Sequence, residues 1–481
     1  METHWTLTLE LKGDFRMSTA TIRPYTTSKL FMYTSIVWLL IGMVVALLVA
    51  VKSVNPDFLA INRWWQEYFT YGRLRPIHTN TVLFGWLTPA FFAMWFYIVP
   101  VLTKAPLYSE RLGVFTVWAW NVVYAIGMVM LFLGRQVPVE YSEMPLVIDI
   151  PIILITGLMV YNLARTIMNR KERILYVTLW YFLGTMVWLP MIYIVGNIPG
   201  AYLSGIGQAS IAYTWVHNII GMWFTPAGVG TIYFLMPKLS GKPIYSHKLS
   251  LIGFWTIGAF YIWNGPHHLV NGPIPLWLMK AGIIPSVLLI IPVWTVLANV
   301  IGTMKGAWHK ISENIELKFM MTGTLFYFLA CIQGPFQALM GPNAILHFTY
   351  WTVGHAHLPL FAGFSLVAFA GYYYALPRII GRQIYSRSLM NWHYWFSVVG
   401  FLIFGFAMWL AGILQGFGWM DGNQVGAAFV KVLESLHMYL IARAIGGTFM
   451  FLGQIAFAWN IYKTATAGKQ AEAEEPMPVL Q

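Results

Sequence analysis

Apolar residues in this 481-residue chain come in long unbroken blocks separated by short polar stretches. Twelve blocks stand out, at about 30–51, 79–103, 112–133, 146–164, 174–194, 211–235, 249–269, 276–301, 318–339, 351–376, 393–414 and 437–461. Each is close to the ~20 residues that an α-helix needs to cross a bilayer. The pattern predicts an all-α integral membrane protein of about twelve transmembrane helices, built as one domain over 30–465. A cytoplasmic N-terminal extension (1–29) and a disordered cytoplasmic tail (466–481) are expected to flank it. Pro226 and Pro359 predict kinks in the sixth and tenth helices, which buried neighbours make tolerable in a membrane. No convincing short-period repeat is visible.

Composition agrees: 58% of residues are hydrophobic and 10% charged, where soluble domains carry roughly 25% charged residues. The net charge of +12 would suit a nucleic-acid partner, but the positions of the charges argue for topology instead. Placing the N-terminus, the even-to-odd loops and the C-terminus on one side collects 21 of the 29 Lys and Arg there. The positive-inside rule then makes both termini cytoplasmic, in a multi-pass protein with an even number of spans. The single cysteine, Cys331, excludes a disulfide framework and a Cys-x-x-Cys-His haem attachment. The first sixteen residues are polar, without a signal-peptide core, and Met17-Ser-Thr-Ala resembles an alternative start.

Six histidines then fall at one depth. In this topology His78, His217, His267, His268, His355 and His357 all lie in the outer third of the membrane, on four separate stretches of chain. Ionisable side chains at membrane depth are expensive and point to function. His355 and His357 are two residues apart, so one helix presents them about 200° apart, to opposite faces. Neutral imidazole suits iron, copper and zinc. With no cysteine cluster and no carboxylate triad, haem iron plus a histidine-only metal is favoured. His217, His267 and His268 can hold copper and leave a position for substrate. His355 can hold one haem facing that metal, and His78 with His357 can sandwich a second. His347, just before the tenth span, is within reach of a haem edge, whereas His393 and His437 read as structural.

These residues sit in recognisable motifs. They include Tyr71-Gly-Arg-Leu-Arg-Pro-Ile-His78-Thr-Asn, Glu140-Tyr-Ser-Glu143, His217-Asn218, Tyr261-Ile-Trp-Asn-Gly-Pro-His267-His268-Leu, and Trp351-Thr-Val-Gly-His-Ala-His357. On them the chain, over roughly 30–465, resembles the haem-copper oxidase superfamily, specifically the catalytic subunit of C-family, cbb-type cytochrome c oxidases.

The resemblance implies the subunit I fold, reduction of dioxygen to water, proton uptake and translocation, and electrons from membrane-anchored c-type cytochrome subunits in a bacterial inner membrane. It implies copper on His217, His267 and His268, a high-spin haem b-type group on His355, and low-spin haem b between His78 and His357. It implies that Tyr261, about two turns deeper than His267 on the same helix, is covalently bonded to His217 and supplies an electron and a proton. Glu140 would help bind calcium between haem propionates through hard oxygen ligands. Arg73, Arg75 and His347 would serve the propionate region, and Tyr233 and Thr225 the proton-uptake route.

Two departures qualify the resemblance. Gln333 stands where the family usually has a glutamate, and a neutral amide cannot exchange a proton. Leu-Pro-Leu-Phe after His357 looks more like nitric oxide reductases, which hold non-haem iron in place of copper. That alternative is opposed by Tyr261 and by the absence of an acid just after His217. A solute or metal transporter would need broken helices in paired halves, which the sequence does not display.

Overall fold

The computed structural model describes residues 22–420 and 427–470. Most of the expected N-terminal extension and of the tail lies outside them. Among the described residues, twelve long helices follow in order. They are α1 (Thr26–Val54), α2 (Tyr71–Thr103), α3 (Glu110–Phe132), α4 (Leu146–Met168), α5 (Val177–Tyr202), α6 (Gly205–Ser240), α7 (His247–Tyr261), α8 (Leu276–Met304), α9 (Ile315–Ala338), α10 (Tyr350–Ile380), α11 (Arg387–Met420) and α12 (His437–Ala467). Eleven are long and apolar enough to cross a membrane.

The exception is α7, with 15 residues. The expected span 249–269 is not one helix: α7 stops at Tyr261, and a separate 3₁₀ turn, Gly265–Leu269, carries His267 and His268. Pro266, with no N–H and a fixed φ, ends the α-helical ladder and opens the turn. The expectation that Tyr261 and His267 share one helix is therefore corrected; each meets His217 from its own side of the break, not by a shared helical register.

Lipid faces the outer helices. On α3, Phe115, Trp118, Val122, Ile126 and Val129 are exposed, while Gly113, Thr116, Trp120, Tyr124 and Gly127 are buried. Large apolar groups outward and small or polar groups inward is the order a bilayer favours. The three helices that carry most of the histidines are the inner pillars. The apolar windows of α2 and α6 are each 94% buried and that of α10 67%, against 33% for α8.

Each pillar departs from α-helical geometry just after its histidines. The π-helical stretches are Thr81–Leu87 after His78, Ile219–Phe224 after His217, and Leu358–Ser365 after His357. A wide π turn shifts the register of everything below it and is a recurrent feature of functional sites. Prolines accompany all three: Pro89, Pro226 and Pro359. Pro226 thus follows, and Pro359 opens, a stretch of locally widened helix.

The more basic side is locked by one motif used three times. Pro100, Pro237 and Pro377 each precede by four residues a left-handed cap, at Lys104, Gly241 and Gly381 (φ 51°, 67° and 65°). Four residues later comes Tyr-Ser: Tyr108-Ser109, Tyr245-Ser246 and Tyr385-Ser386. Each serine side chain caps the next helix, accepting from Leu112, Leu249 and Leu389 N–H, an interaction worth about 1 kcal/mol. The Tyr and Ser backbone N–H groups donate to Thr and Asn side chains of a returning helix. These pairs are Thr166 and Asn162, Thr303 and Asn299, and Thr464 and Asn460. The repeat is invisible to a short-period search because its copies lie about 140 residues apart.

Candidate functional site

His217 on α6 and His267 and His268 on the 3₁₀ turn form a compact group, with one ligand-capable atom from each lying within 4.8 Å of the others. Among the described residues it is the one such group of three or more His, Cys, Asp or Glu, and it contains no carboxylate. His217 Nε2 is buried without a partner, and its Nδ1 lies 3.3 Å from His268 Nε2. Neutral imidazoles this close, with an orphaned nitrogen, fit a soft or borderline divalent metal.

The shell around the trio orients each ring. Ser286 Oγ, 2.5 Å from His267 Nδ1, gives its own proton to the Gly282 carbonyl. It can then only accept from His267, which leaves Nε2 free to ligate. Gly282 has no room for a side chain: a Cβ would lie 2.5 Å from His267 N. His268 stacks on Tyr213 (centroids 5.4 Å apart, 6° between planes), and His217 on Tyr261 (4.7 Å, 27°).

His78 and His357 face each other across a cavity, nearly parallel (17°), with ring centroids 6.2 Å apart. Two imidazoles bound to one metal at about 2 Å on either side would stand about 6 Å apart once the ring radius is added. His78 Nδ1 is 3.1 Å from the Gly42 carbonyl and His357 Nδ1 is 2.8 Å from that of Val353. Each ring therefore donates through Nδ1 and turns Nε2 to the gap. Leu39, Met43, Trp86, Phe361 and Phe404 make the walls apolar. These residues fit a flat, bis-histidine-ligated cofactor such as haem b.

His355 points the other way, as the two-residue spacing requires. Its Nδ1 meets Gln333 Oε1 at 3.2 Å, and it is in electrostatic contact with His217, His267 and His268. The geometry fits a second cofactor plane between His355 and the trio. His347 is half-buried against Phe348, close to His267 and His268, and burial holds its imidazole below the usual range.

The acidic segment closes the site on its outer edge. Arg75 is paired with Glu140, and its Nη1 lies 3.9 Å from Glu143. Glu143 Oε2 accepts from Asn80 at 2.7 Å, while Oε1, the atom nearest Arg75, is buried without a hydrogen bond. Burial pushes the Glu143 carboxyl up to about 7, outweighing the Asn80 bond and Arg75. Glu140, committed to Arg75, does not by itself make a calcium cage. Arg73 is turned away: it donates to the Phe132 carbonyl, pairs with Glu67 and lies over the Tyr68 ring. Sequence reasoning missed Arg443, on α12, which lines the His78–His357 cavity.

Polar groups run from Tyr261 toward the more basic side. Thr225 lies beside Tyr261, and Tyr327 and Cys331 lie beside each other and close to Tyr261. Tyr181 and Tyr233 lie ring to ring at 5.7 Å, and Tyr233 Oη accepts from Asn299 at 3.2 Å. Asn299 belongs to the second of the three loop locks.

Comparison with known proteins gives a family and a fold. The family model described as Cytochrome C and Quinol oxidase polypeptide I matches residues 26–449. The cbb3-type cytochrome c oxidase subunit CcoN1 of Stutzerimonas stutzeri is 32% identical, over 95% of this chain and 98% of its own length. A cytochrome c oxidase subunit 1 homolog of Agrobacterium tumefaciens is 31% identical, over 91% and 83%. A nitric oxide reductase chain of Stutzerimonas stutzeri is more distant, at 21% over 92% and 94%. In fold, the chain matches a haem-copper terminal oxidase dimer solved by cryo-EM, with a TM-score of 0.73 at 16% identity over 93% of this chain and 85% of that one.

Proposed function

The chain belongs to the cytochrome c and quinol oxidase polypeptide I family of haem-copper oxidases, and we propose that it is the catalytic subunit of a cbb-type cytochrome c oxidase, reducing dioxygen to water. One observation carries the assignment of its residues. A three-histidine group and a parallel histidine pair are built around opposite faces of one helix, α10. His217, His267 and His268 hold copper, His355 the high-spin haem, and His78 with His357 the low-spin haem b.

Bound haem and copper supply electrons and a Lewis-acidic pair for the reduction of dioxygen. The chain does the rest by position. α10 keeps the two haem sites two residues apart, which suits rapid electron passage. Ser286, Tyr213 and Tyr261 hold the copper imidazoles in place. Tyr261, cross-linked to His217 in this reading, gives a proton and an electron toward the site. Their ring stacking supports that pairing. Protons reach Tyr261 from the basic side by way of Asn299, Tyr233, Tyr181, Tyr327 and Thr225, an order supported by their contacts.

The basic side is cytoplasmic by the positive-inside rule, which puts both termini there and the chain in a bacterial inner membrane. Electrons come from membrane-anchored c-type cytochrome subunits, because this chain has no haem c motif of its own.

The test is copper and haem content of the purified complex. One copper per two haems b, after subtraction of partner haems c, is expected. Non-haem iron without copper would move the assignment to nitric oxide reductase, a reading that the carboxylate-free trio disfavours.

A further inference from the structure

The first turns of α10 are held by three glutamines. Gln333 and Gln337 stand four apart on α9, and Trp351 and His355 stand four apart on α10, so each pair shares one face of its helix. The two helices run in opposite directions, and these faces meet as two rungs. Gln337 Oε1 accepts from Trp351 Nε1 at 2.7 Å, and Gln333 Oε1 lies 3.2 Å from His355 Nδ1. From the other side Gln415 of α11, which is 4% exposed, accepts from the Tyr350 backbone N–H at 2.8 Å. Indole and backbone N–H groups only donate, so the amide oxygens must face them.

Packing alone does not fix α10 here. α11 comes close through glycines: a Cβ at Gly412 would lie 2.1 Å from Trp351 N, and one at Gly416 would lie 2.0 Å from the carbonyl oxygen of Ile345, just before α10. Glycine contacts set how near two elements come, but they offer no ridge against rotation or sliding. Directional hydrogen bonds supply that stop. Only eight residues, Tyr350–His357, are α-helical before the π-helical stretch begins. His355 stands about one turn beyond Trp351, so a rotation of the helix start reaches it directly. The rung on the ligand is the longer one. At 3.2 Å it lies at the far end of the N–H···O range, while the Trp351 rung at 2.7 Å lies at the near end. The contact of Gln333 with His355 therefore depends on the register that the Gln337 rung sets.

We propose that Gln337 is a positioning residue for the oxygen-reducing site. Its bond to the Trp351 indole sets the rotation of α10, keeps His355 within reach of Gln333, and so tunes the bond from His355 to the high-spin haem. The proposal rests on the reading of His355 as the proximal ligand of that haem.

The experiment is resonance Raman spectroscopy of the reduced, whole purified complex, reading the iron–histidine stretch of the high-spin haem. The proteins are the unsubstituted complex, Gln337→Leu, Trp351→Phe and the double variant of the two. Gln337→Leu removes the acceptor, and Trp351→Phe removes the donor while leaving Gln337 in place. In both, the stretch should fall in frequency and broaden, because a slackened bond from His355 to Gln333 leaves the imidazole less polarised and less fixed. The double variant should shift no further than either single one, as expected when one interaction is removed twice. A stretch unmoved in either single variant would overturn the proposal, as would shifts that add in the double variant. If Gln337→Leu does not assemble, Trp351→Phe decides by the same readout. Failure of the underlying reading looks different: the unsubstituted complex itself would show no iron–histidine stretch from a high-spin haem.

Discussion

The Tyr261 ring lies directly on Gly221: a Cβ at residue 221 would fall 1.6 Å from Tyr261 Cε1. Gly221 sits in the π-helical stretch of α6, four residues after His217. The absence of a side chain there lets Tyr261 slide under the histidine and stack on it. Gly221→Ala should therefore displace the phenol from His217. Overpacking of this kind costs about 1–3 kcal/mol. Dioxygen reduction should fall sharply while the low-spin haem spectrum stays intact. Normal turnover in the variant would mean that the contact of Tyr261 with His217 is not used.

Ser286 offers a second test of the trio. It acts on the metal only through His267, so its removal should loosen the metal without abolishing haem binding. Outer-shell losses typically cost roughly 10–100-fold in metal affinity. Ser286→Ala should lose copper on dialysis against a chelator faster than the parent protein, and Ser286→Thr, which keeps the hydroxyl, should restore retention. Equal copper retention in all three proteins would sink this role.

Gln333 makes the third prediction. As a neutral acceptor for His355 Nδ1 it polarises the imidazole less than a carboxylate would, because charge-assisted hydrogen bonds are roughly twice as strong. Gln333→Glu should give His355 more imidazolate character. The high-spin haem should then titrate at a more negative potential and its iron–histidine stretch should rise in resonance Raman. A stretch unmoved by the substitution would show that residue 333 does not govern the ligand.

The three loop locks predict a stability gain at one copy. Gly241 and Gly381 occupy the left-handed cap in two copies, but Lys104 occupies it in the first, at φ 51°. A non-glycine residue pays roughly 1 kcal/mol there. Lys104→Gly should stabilise the protein by up to that amount in a thermal melt in detergent. The Lys104–Glu172 pair it removes is exposed, and such pairs contribute little. A lower melting temperature would mean that the ion pair outweighs the strain.

Much of the site was legible because polar groups stand out in an apolar chain. In a membrane a buried histidine is costly enough to be kept only for a purpose, so all six candidates could be picked from position and depth. Their partners could not. Arg443 reads in the sequence as one more basic residue on the less basic side, and Ser286 and Gly221 as ordinary residues of apolar spans. Their importance lies in contacts made across long stretches of chain.

The chain alone determined an all-α architecture of about twelve membrane helices, since hydrophobic length is a local property that the bilayer reads directly. It also determined that His355 and His357 face opposite ways, because helical geometry does so wherever the helix is placed. Only the tertiary structure decided which histidine meets which, that α7 ends at Tyr261, and that α2, α6 and α10 widen below their ligands. Lipid and protein neighbours are both apolar, so hydropathy cannot say which helix packs on which. Those choices rest on shape, on small residues such as Gly221 and Gly282, and on hydrogen bonds closed between distant helices.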